Sequence, residues 1–109
     1  MPGNLIAALE AAARCAPGKE VIFHGDTALC WKELDDRAGA VAATLAARGV
    51  EAGDRVALEF DDPVCLTIAL LGALKAGAAV TPLNPRLAED EKSTILVALD
   101  AKVVLRKLC

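Results

Sequence analysis

The second half of the chain alternates short apolar segments typical of strands with longer segments typical of helices. From Arg55 onward the order is strand, helix, strand, helix, strand: RVALEF, residues 64–76, AAVTPL, residues 88–99 and KVVLRKL. Because the connections are short and a helix separates successive strands, we expect three parallel strands with right-handed crossovers. The pattern predicts an α/β fold containing a βαβαβ unit, which is half of a doubly wound, Rossmann-like sheet.

The first half predicts an N-terminal helix, a β-hairpin and a second helix. Asn4 is a candidate cap for the first helix, which ends at Pro17-Gly18. The segment EVIFHGDTALCW predicts two strands around a polar turn at residues 24–27. Its alternating apolar residues are Val21, Phe23, Leu29 and Trp31. From Trp31 to Arg48 apolar residues recur at helical spacing, and Gly49 ends that helix. The face they form comprises Leu34, Ala38, Val41, Ala42, Leu45 and Ala46.

The helix predicted from Val64 to Ala76 is apolar on nearly every side, which predicts burial on more than one face. Asp61-Asp62-Pro63 precedes it, and both acidic residues and proline suit the first turn of a helix. We expect Gly77 to end this helix, and Pro82 to lie at the end of the next strand or on an exposed edge. The stretch GALKAGAAVTPLNPRL, residues 72–87, therefore shapes the backbone and carries few reactive side chains, as a scaffold does.

Length and charge limit the possible functions. A chain of 109 residues fits one domain, residues 1–109, and can bury roughly 65% of its unfolded surface. A net charge of −3 argues against nucleic-acid binding, which needs a basic face. Every uncharged stretch is shorter than the about 20 residues of a membrane-spanning helix. No basic residue precedes the apolar N-terminal run, so no secretory signal is predicted and we expect a cytoplasmic protein.

The cysteines and the single histidine do not predict a metal site. Cys15, Cys30, Cys65 and Cys109 form no C-x-x-C pair, and His24 has no histidine partner. A zinc site would need ligands from four distant places in the sequence. Disulfides are disfavoured in a reducing compartment, so we interpret the cysteines as buried or unreactive thiols.

The segment CWKELDDRAGAVAATLAARGVEAGDRVALEF, residues 30–60, resembles the opening of the acyl-adenylate-forming enzymes, the AMP-binding and acyl-CoA synthetase superfamily. That family has an aromatic–x–Glu–Leu helix, then Gly-Val, then Gly-Asp-Arg-Val-Ala and a strand. Lys-Ala-Gly-Ala, Pro-Leu-Asn-Pro-Arg-Leu and DAKVVL resemble its next landmarks. The resemblance runs from about residue 4 to residue 105, with five landmarks in order, and identifies the chain as an N-terminal segment of this superfamily.

Two positions depart from the family pattern. Cys30 stands where serine or threonine usually forms a capping box with Glu33, and a thiol accepts hydrogen bonds weakly. We expect that cap to be poorer by about 1 kcal/mol. Asp61-Asp62-Pro63 stands where the family tends to have asparagine and a small residue. Neither position is catalytic in the family, so the assignment is unaffected.

The resemblance implies a parent enzyme that is an ATP-dependent acid–thiol ligase. A carboxylate attacks the α-phosphate of ATP to give an acyl-adenylate, and a thiol, often that of coenzyme A, takes the acyl group. In the family, the phosphate-binding loop, the magnesium-binding acid, the ribose contacts and the C-terminal lysine all lie downstream of this segment. We therefore expect ATP, magnesium and coenzyme A for a full-length parent, and no catalytic, cofactor-binding or metal residue here.

The residues themselves also argue against a phosphate site. A triphosphate needs glycine and hydroxyl residues ending in a cation, and this chain has one serine, Ser93. Gly72 and Gly77 have the spacing of P-loop glycines, but Ala78-Ala79 stands where lysine and serine or threonine belong. We interpret Gly77 as a helix C-cap.

Other candidate residues have simpler structural interpretations. His24, a possible general base, lies in a polar turn, and Asp61-Asp62, a possible carboxylate pair at a strand end, suits a solvated helix start. Arg86, a possible anion ligand, is interpreted as a surface residue in a turn. Cys109 is expected to be exposed enough to oxidise or cross-link.

Three hypotheses remain open. The chain is a catalytically inactive scaffold segment of a ligase, partnered by the rest of that enzyme. Alternatively, it is a self-associating interaction module derived from the fold, or a small nucleotide-binding domain using strand ends near Asp61 and Asn84. Under the first two hypotheses the apolar helix at 64–76 would expose a patch too large for a soluble monomer, which predicts a homodimer. The sequence does not identify the acyl substrate or the thiol acceptor.

Overall fold

The computed structural model describes the backbone of residues 2–108 and the side chains of residues 5–108. It has the predicted element order and α/β class. The elements are helix α1 (Pro2–Cys15), strands β1 (Glu20–His24) and β2 (Thr27–Cys30), helix α2 (Trp31–Ala47), strand β3 (Arg55–Leu58), helix α3 (Pro63–Lys75), strand β4 (Ala79–Pro82), helix α4 (Glu89–Leu99) and strand β5 (Val103–Leu105).

The three later strands form a parallel sheet in the order β4-β3-β5, which confirms the predicted βαβαβ unit. β3 lies in the centre, and its residues Val56, Ala57 and Leu58 are fully buried. Each of the three strands is shorter than the segment predicted for it. Pro82 ends β4, which is an edge strand, so its missing N–H interrupts no central hydrogen bond.

The hairpin of β1 and β2 departs from the predicted alternation. A register shift between Glu20 and Ile22 turns Phe23 outward, where it is 69% exposed, while Leu29 is 2% exposed. Trp31 is the first residue of α2 and not part of the strand. One inserted residue reverses the faces of a strand, because side chains alternate with period two, and the sequence pattern did not indicate the insertion.

Helix α3 lies at the centre of the hydrophobic core, against α1, α2 and the sheet. Its buried residues lie on more than one face, as predicted: Val64, Ile68, Ala69, Leu71, Gly72 and Ala73. The expectation that α3 would expose a large apolar patch was wrong, because α1, α2 and the sheet pack against it and none of its large apolar residues is exposed. The large apolar residues most exposed in the described part of the chain are Leu5, Phe23 and Val97.

The helix ends follow the predicted chemistry where the structure describes them. Asp62 caps α3 by accepting hydrogen bonds from the backbone N–H groups of Val64 (2.8 Å) and Cys65 (3.4 Å). Gly77 follows α3 with a φ of +79°, a left-handed conformation that favours glycine. Helix α1 begins at Pro2, so Asn4 lies within it, and the predicted capping side chain of Asn4 falls outside the described residues.

Candidate functional site

A groove opens beside α2 and α3 at the carboxyl ends of β3 and β5. Its volume is about 400 Å³. It is lined by Thr27, Arg37, Ala40, Val41, Thr44, Asp62, Val64, Cys65, Ile68, Leu105, Lys107 and Leu108. All three strands are parallel, but β4 lies on one side of β3 and β5 on the other, so the strand order reverses across β3 and the switch point lies between β3 and β5. Ligands of open α/β sheets bind at such switch points, so we call this cavity the switch-point groove.

The floor of the switch-point groove is apolar. Val41, Val64, Ile68 and Leu105 are each at most 9% exposed and form part of the hydrophobic core. The Asp62 carboxylate already accepts the two N–H groups that cap α3. Arg37 and Lys107 are the exposed cations of the groove. Neither of them lies in a glycine-rich loop. The buried part of the groove lining is therefore apolar, and its polar residues are Thr27, Arg37, Thr44, Asp62, Cys65 and Lys107.

An ion cluster joins three elements at the same edge of the sheet. Glu59, directly after β3, accepts from Lys92 Nζ of α4 at 2.7 Å and from Arg106 Nε, directly after β5, at 2.8 Å. The side chains of Glu59 and Lys92 are 10% and 9% exposed. The hydrogen bond from Lys92, then that from Arg106, lowers the pKa of the Glu59 carboxyl below its ordinary value. The hydrogen bond to Glu59 raises the pKa of Lys92.

A second ion cluster joins helices α1, α2 and α3. Lys75 Nζ, at the end of α3, lies 2.6 Å from Asp35 Oδ1 of α2 and 2.9 Å from Glu10 Oε2 of α1. Burial by itself would lower the pKa of the Lys75 ammonium, but the hydrogen bonds and charges of Asp35 and Glu10 outweigh it, so that pKa is raised. Both partners lie on helices, so this arrangement fixes helix positions.

The candidate general base, carboxylate pair and anion ligand from the sequence lie in different parts of the chain, and of these residues only Asp62 lines the switch-point groove. His24 is exposed at the end of β1, where it pairs with Thr27 rather than lying in the turn. Arg86 is exposed in a turn, where its backbone N–H donates to Asn84 Oδ1 at 2.9 Å. Asp61 is exposed and Asp62 caps α3. Within residues 5–108 no group of three or more His, Cys, Asp or Glu side chains is placed to hold a metal ion.

The glycines with P-loop spacing do not fit a triphosphate. Gly72 is buried in α3, and a Cβ there would overlap the Val41 side chain and lie 2.8 Å from the Ala38 carbonyl oxygen. Gly72 thus permits the close approach of α2 and α3. Gly77 makes the turn out of α3. Gly77 donates its backbone N–H to the Leu74 carbonyl and Gly72 is enclosed by α2, so these two glycines do not form a phosphate-binding loop.

Sequence reasoning missed both ion clusters and the role of Gly72. Glu59 was part of the predicted strand RVALEF, Lys92 of a helix and Arg106 of the last strand, so no local pattern joined them. The available signal was a single charge directly after each of two parallel strands, since carboxyl ends of parallel strands meet at one sheet edge.

Comparisons with known proteins agree with the fold. A sequence profile described as AMP-binding enzyme matches residues 9–109. N-(5-amino-5-carboxypentanoyl)-L-cysteinyl-D-valine synthase of Amycolatopsis lactamdurans is 32% identical over 105 residues, which covers 95% of this chain and 3% of that protein.

Solved structures show the same similarity. The N-terminal domain of FACL13 from Mycobacterium tuberculosis, solved with an inhibitor bound, superposes with a TM-score of 0.87 at 32% identity and covers 94% of this chain and 26% of that chain. The fatty acid AMP ligase from Legionella pneumophila gives a TM-score of 0.84 at 31% identity, covering 94% and 19%. This chain spans 1–9% of the curated relatives that it matches and 19–28% of the solved chains.

Proposed function

Because this chain belongs to the AMP-binding enzyme family, we propose that it is the N-terminal scaffold segment of an ATP-dependent acid–thiol ligase that acts through an acyl-adenylate. The observation that carries the proposal is the unequal coverage: 94% of this chain superposes on a solved relative, but on only 26% of that relative. In the proposed parent, ATP with magnesium activates a carboxylate and a thiol such as that of coenzyme A accepts the acyl group. The parent is proposed to be cytoplasmic.

The segment's own contribution is structural under this proposal. Its charged side chains near the switch point hold elements together: Asp62 caps α3, and Glu59 binds Lys92 and Arg106. Charges already satisfied by protein partners are poor candidates for moving protons or binding phosphate. The rigid α2–α3 pair and the buried strand β3 supply a base on which the rest of a parent's large domain would pack. We propose that residues 1–109 are inactive alone.

Isothermal titration calorimetry with ATP and magnesium tests the inactivity of the segment. The proposal expects no binding heat, and no ATP–pyrophosphate exchange in the presence of an acyl substrate mixture. Saturable heat would contradict it and favour the small nucleotide-binding domain. In that event the variants Arg37→Ala and Lys107→Ala, which remove the exposed cations of the switch-point groove, should abolish the heat, whereas Arg86→Ala should not.

A second candidate function is a self-associating interaction module. The observation that favours it is that β4 and β5 each have one unpaired edge in the described sheet, and unpaired edges are templates for pairing with another chain. The apolar switch-point groove adjoins the β5 edge, since Leu105 belongs to both. Together they offer a continuous surface for a second copy, and a measurement of oligomeric state tests this candidate.

A further inference from the structure

We infer that Glu59 is the centre of an ionic latch that docks α4 on the sheet, so that α4 opens as a unit while the rest of the domain stays folded. The latch consists of Glu59, Lys92 and Arg106, which come from three separate parts of the chain. The inference is independent of the proposed function, because it rests on the packing of this chain alone.

Helix α4 contributes little to the hydrophobic core of the described residues, since its apolar residues Ile95, Leu96 and Leu99 are only half-buried. The residues of the core and those packed against it come from every other helix and from the strands, but none from α4. The one buried residue of α4 is a cation, Lys92, at 7% exposure. Val97 is 80% exposed, and α4 contacts other elements only sparsely. A helix of 11 residues whose apolar side chains are at most half-buried is marginal in water, so the buried Lys92 ion pair is the strongest attachment of α4 in the described residues.

The latch supplies that hold through charge-assisted hydrogen bonds. Lys92 Nζ lies 2.7 Å from Glu59 Oε2, and Arg106 Nε lies 2.8 Å from Glu59 Oε1, so both carboxylate oxygens are used. Glu89, on the preceding turn of α4, is the other charged group facing Lys92, at 3.5 Å, and is 89% exposed. Removing the Glu59 charge leaves Lys92 buried against the sheet without its short partner, which strongly disfavours the docked position.

Native-state hydrogen exchange with mass spectrometry on the 109-residue chain tests the latch. In the unmodified chain, amides of residues 93–99 should exchange faster than those of α2 and α3, because local opening releases only α4. In Glu59→Gln the exchange of residues 93–99 should rise by about tenfold or more, as expected for the loss of a hydrogen bond between charged groups. Exchange in α2 and α3 should not change.

Two further variants keep the test decisive. Glu10→Gln removes the same charge from the Lys75 cluster, and should leave residues 93–99 unchanged. The double variant Glu59→Leu with Lys92→Met replaces the buried pair by apolar side chains and should restore slow exchange in α4. If Glu59→Gln accelerates exchange equally in all helices, or leaves α4 unaffected, the latch is overturned. Failure of the double variant to slow exchange in α4 would also count against it.

Discussion

Gly72 sets the distance between the two central helices. It is buried in α3 at the point where α2 crosses, with Val41 and the Ala38 carbonyl against the space that a side chain would fill. Glycine costs about 1 kcal/mol in a helix relative to alanine, so its presence mid-helix indicates a packing requirement. The same glycine was a candidate phosphate-loop residue in the sequence, and its surroundings give it a structural role.

Replacing Gly72 by alanine should destabilise the domain by about 1–3 kcal/mol, since the added methyl forces the two helices apart. Gly39→Ala in α2 is the matched control, because a Cβ there has nothing within 4 Å. That change should be stabilising by roughly 0.5–1 kcal/mol, as expected of glycine replaced by alanine inside a helix. Chemical denaturation measures both, and equal effects of the two substitutions would contradict the packing role of Gly72.

Cys30 occupies the N-cap position of α2. Of the two hydrogen bonds of a capping box, only the one accepted by the Glu33 side chain is well formed here. Glu33 Oε1 accepts the Cys30 backbone N–H at 3.1 Å, and this hydrogen bond lowers the pKa of Glu33. Cys30→Ser should stabilise the domain by about 1 kcal/mol, because a hydroxyl oxygen accepts from the first-turn N–H groups better than sulfur. Thermal unfolding checks this, with the exposed Cys15→Ser as the neutral control. A lower melting temperature for Cys30→Ser would refute it.

Apolar burial holds α3 in place, whereas an ion pair between distant residues holds α4. The sequence predicted the first kind of contact and not the second. The continuous apolar character of α3 predicted its burial, and the alternation of elements predicted the parallel sheet, because both follow from local periodicity. The prediction placed Phe23 on the buried face of β1. It was wrong because the register shift between Glu20 and Ile22 reverses the alternation, and nothing in the apolar pattern indicates that shift. The contact between Glu59 and Lys92 spans 33 positions, and the pairing of two distant charges leaves no periodic signal.

The attachment of α4 should weaken in acid. The pKa of Glu59 is lowered in the folded state from the ordinary value of 4.5, so its stabilisation is fully present above that value. It is lost as the pH falls through the lowered folded value, where the carboxyl becomes protonated. Hydrogen exchange of residues 93–99, corrected for intrinsic rates, should therefore show increasing opening below pH 4.5. The variant Glu59→Gln should lack this increase, and an identical increase in the variant would contradict the assignment to Glu59.

The whole molecule is slightly extended for its size. Its radius of gyration is 14.3 Å, against roughly 13 Å for a compact domain of this length, and its longest dimension is 44 Å. The unpaired edges of β4 and β5 and the switch-point groove are surfaces that no other described element covers. No helix of residues 2–108 is sufficiently long and apolar to cross a bilayer. The unpaired edges and the groove are the surfaces on which we propose that the rest of a parent enzyme, or a second copy, would pack.

The second candidate function, a self-associating module, predicts that the isolated chain forms a dimer. Light scattering coupled to size-exclusion chromatography should show a concentration-dependent dimer, in which the β5 edge and the switch-point groove are covered. Leu108→Asp places a charge in the groove and should shift the chain toward monomer. Phe23→Asp is the control, because Phe23 is 69% exposed on the hairpin outside the groove. A strictly monomeric chain at high concentration would contradict the expectation.

The central claim, that this chain is a scaffold segment of a larger adenylate-forming ligase, is tested most directly by the mass of the natural product. An antibody raised against residues 1–109 would detect that product in its native source, and intact-mass measurement would follow. The account predicts a species several times larger than 11.3 kDa, since the chain spans only 19–28% of its solved relatives. A sole species at 11.3 kDa would contradict the account, and would direct attention to the domain as an independent interaction module.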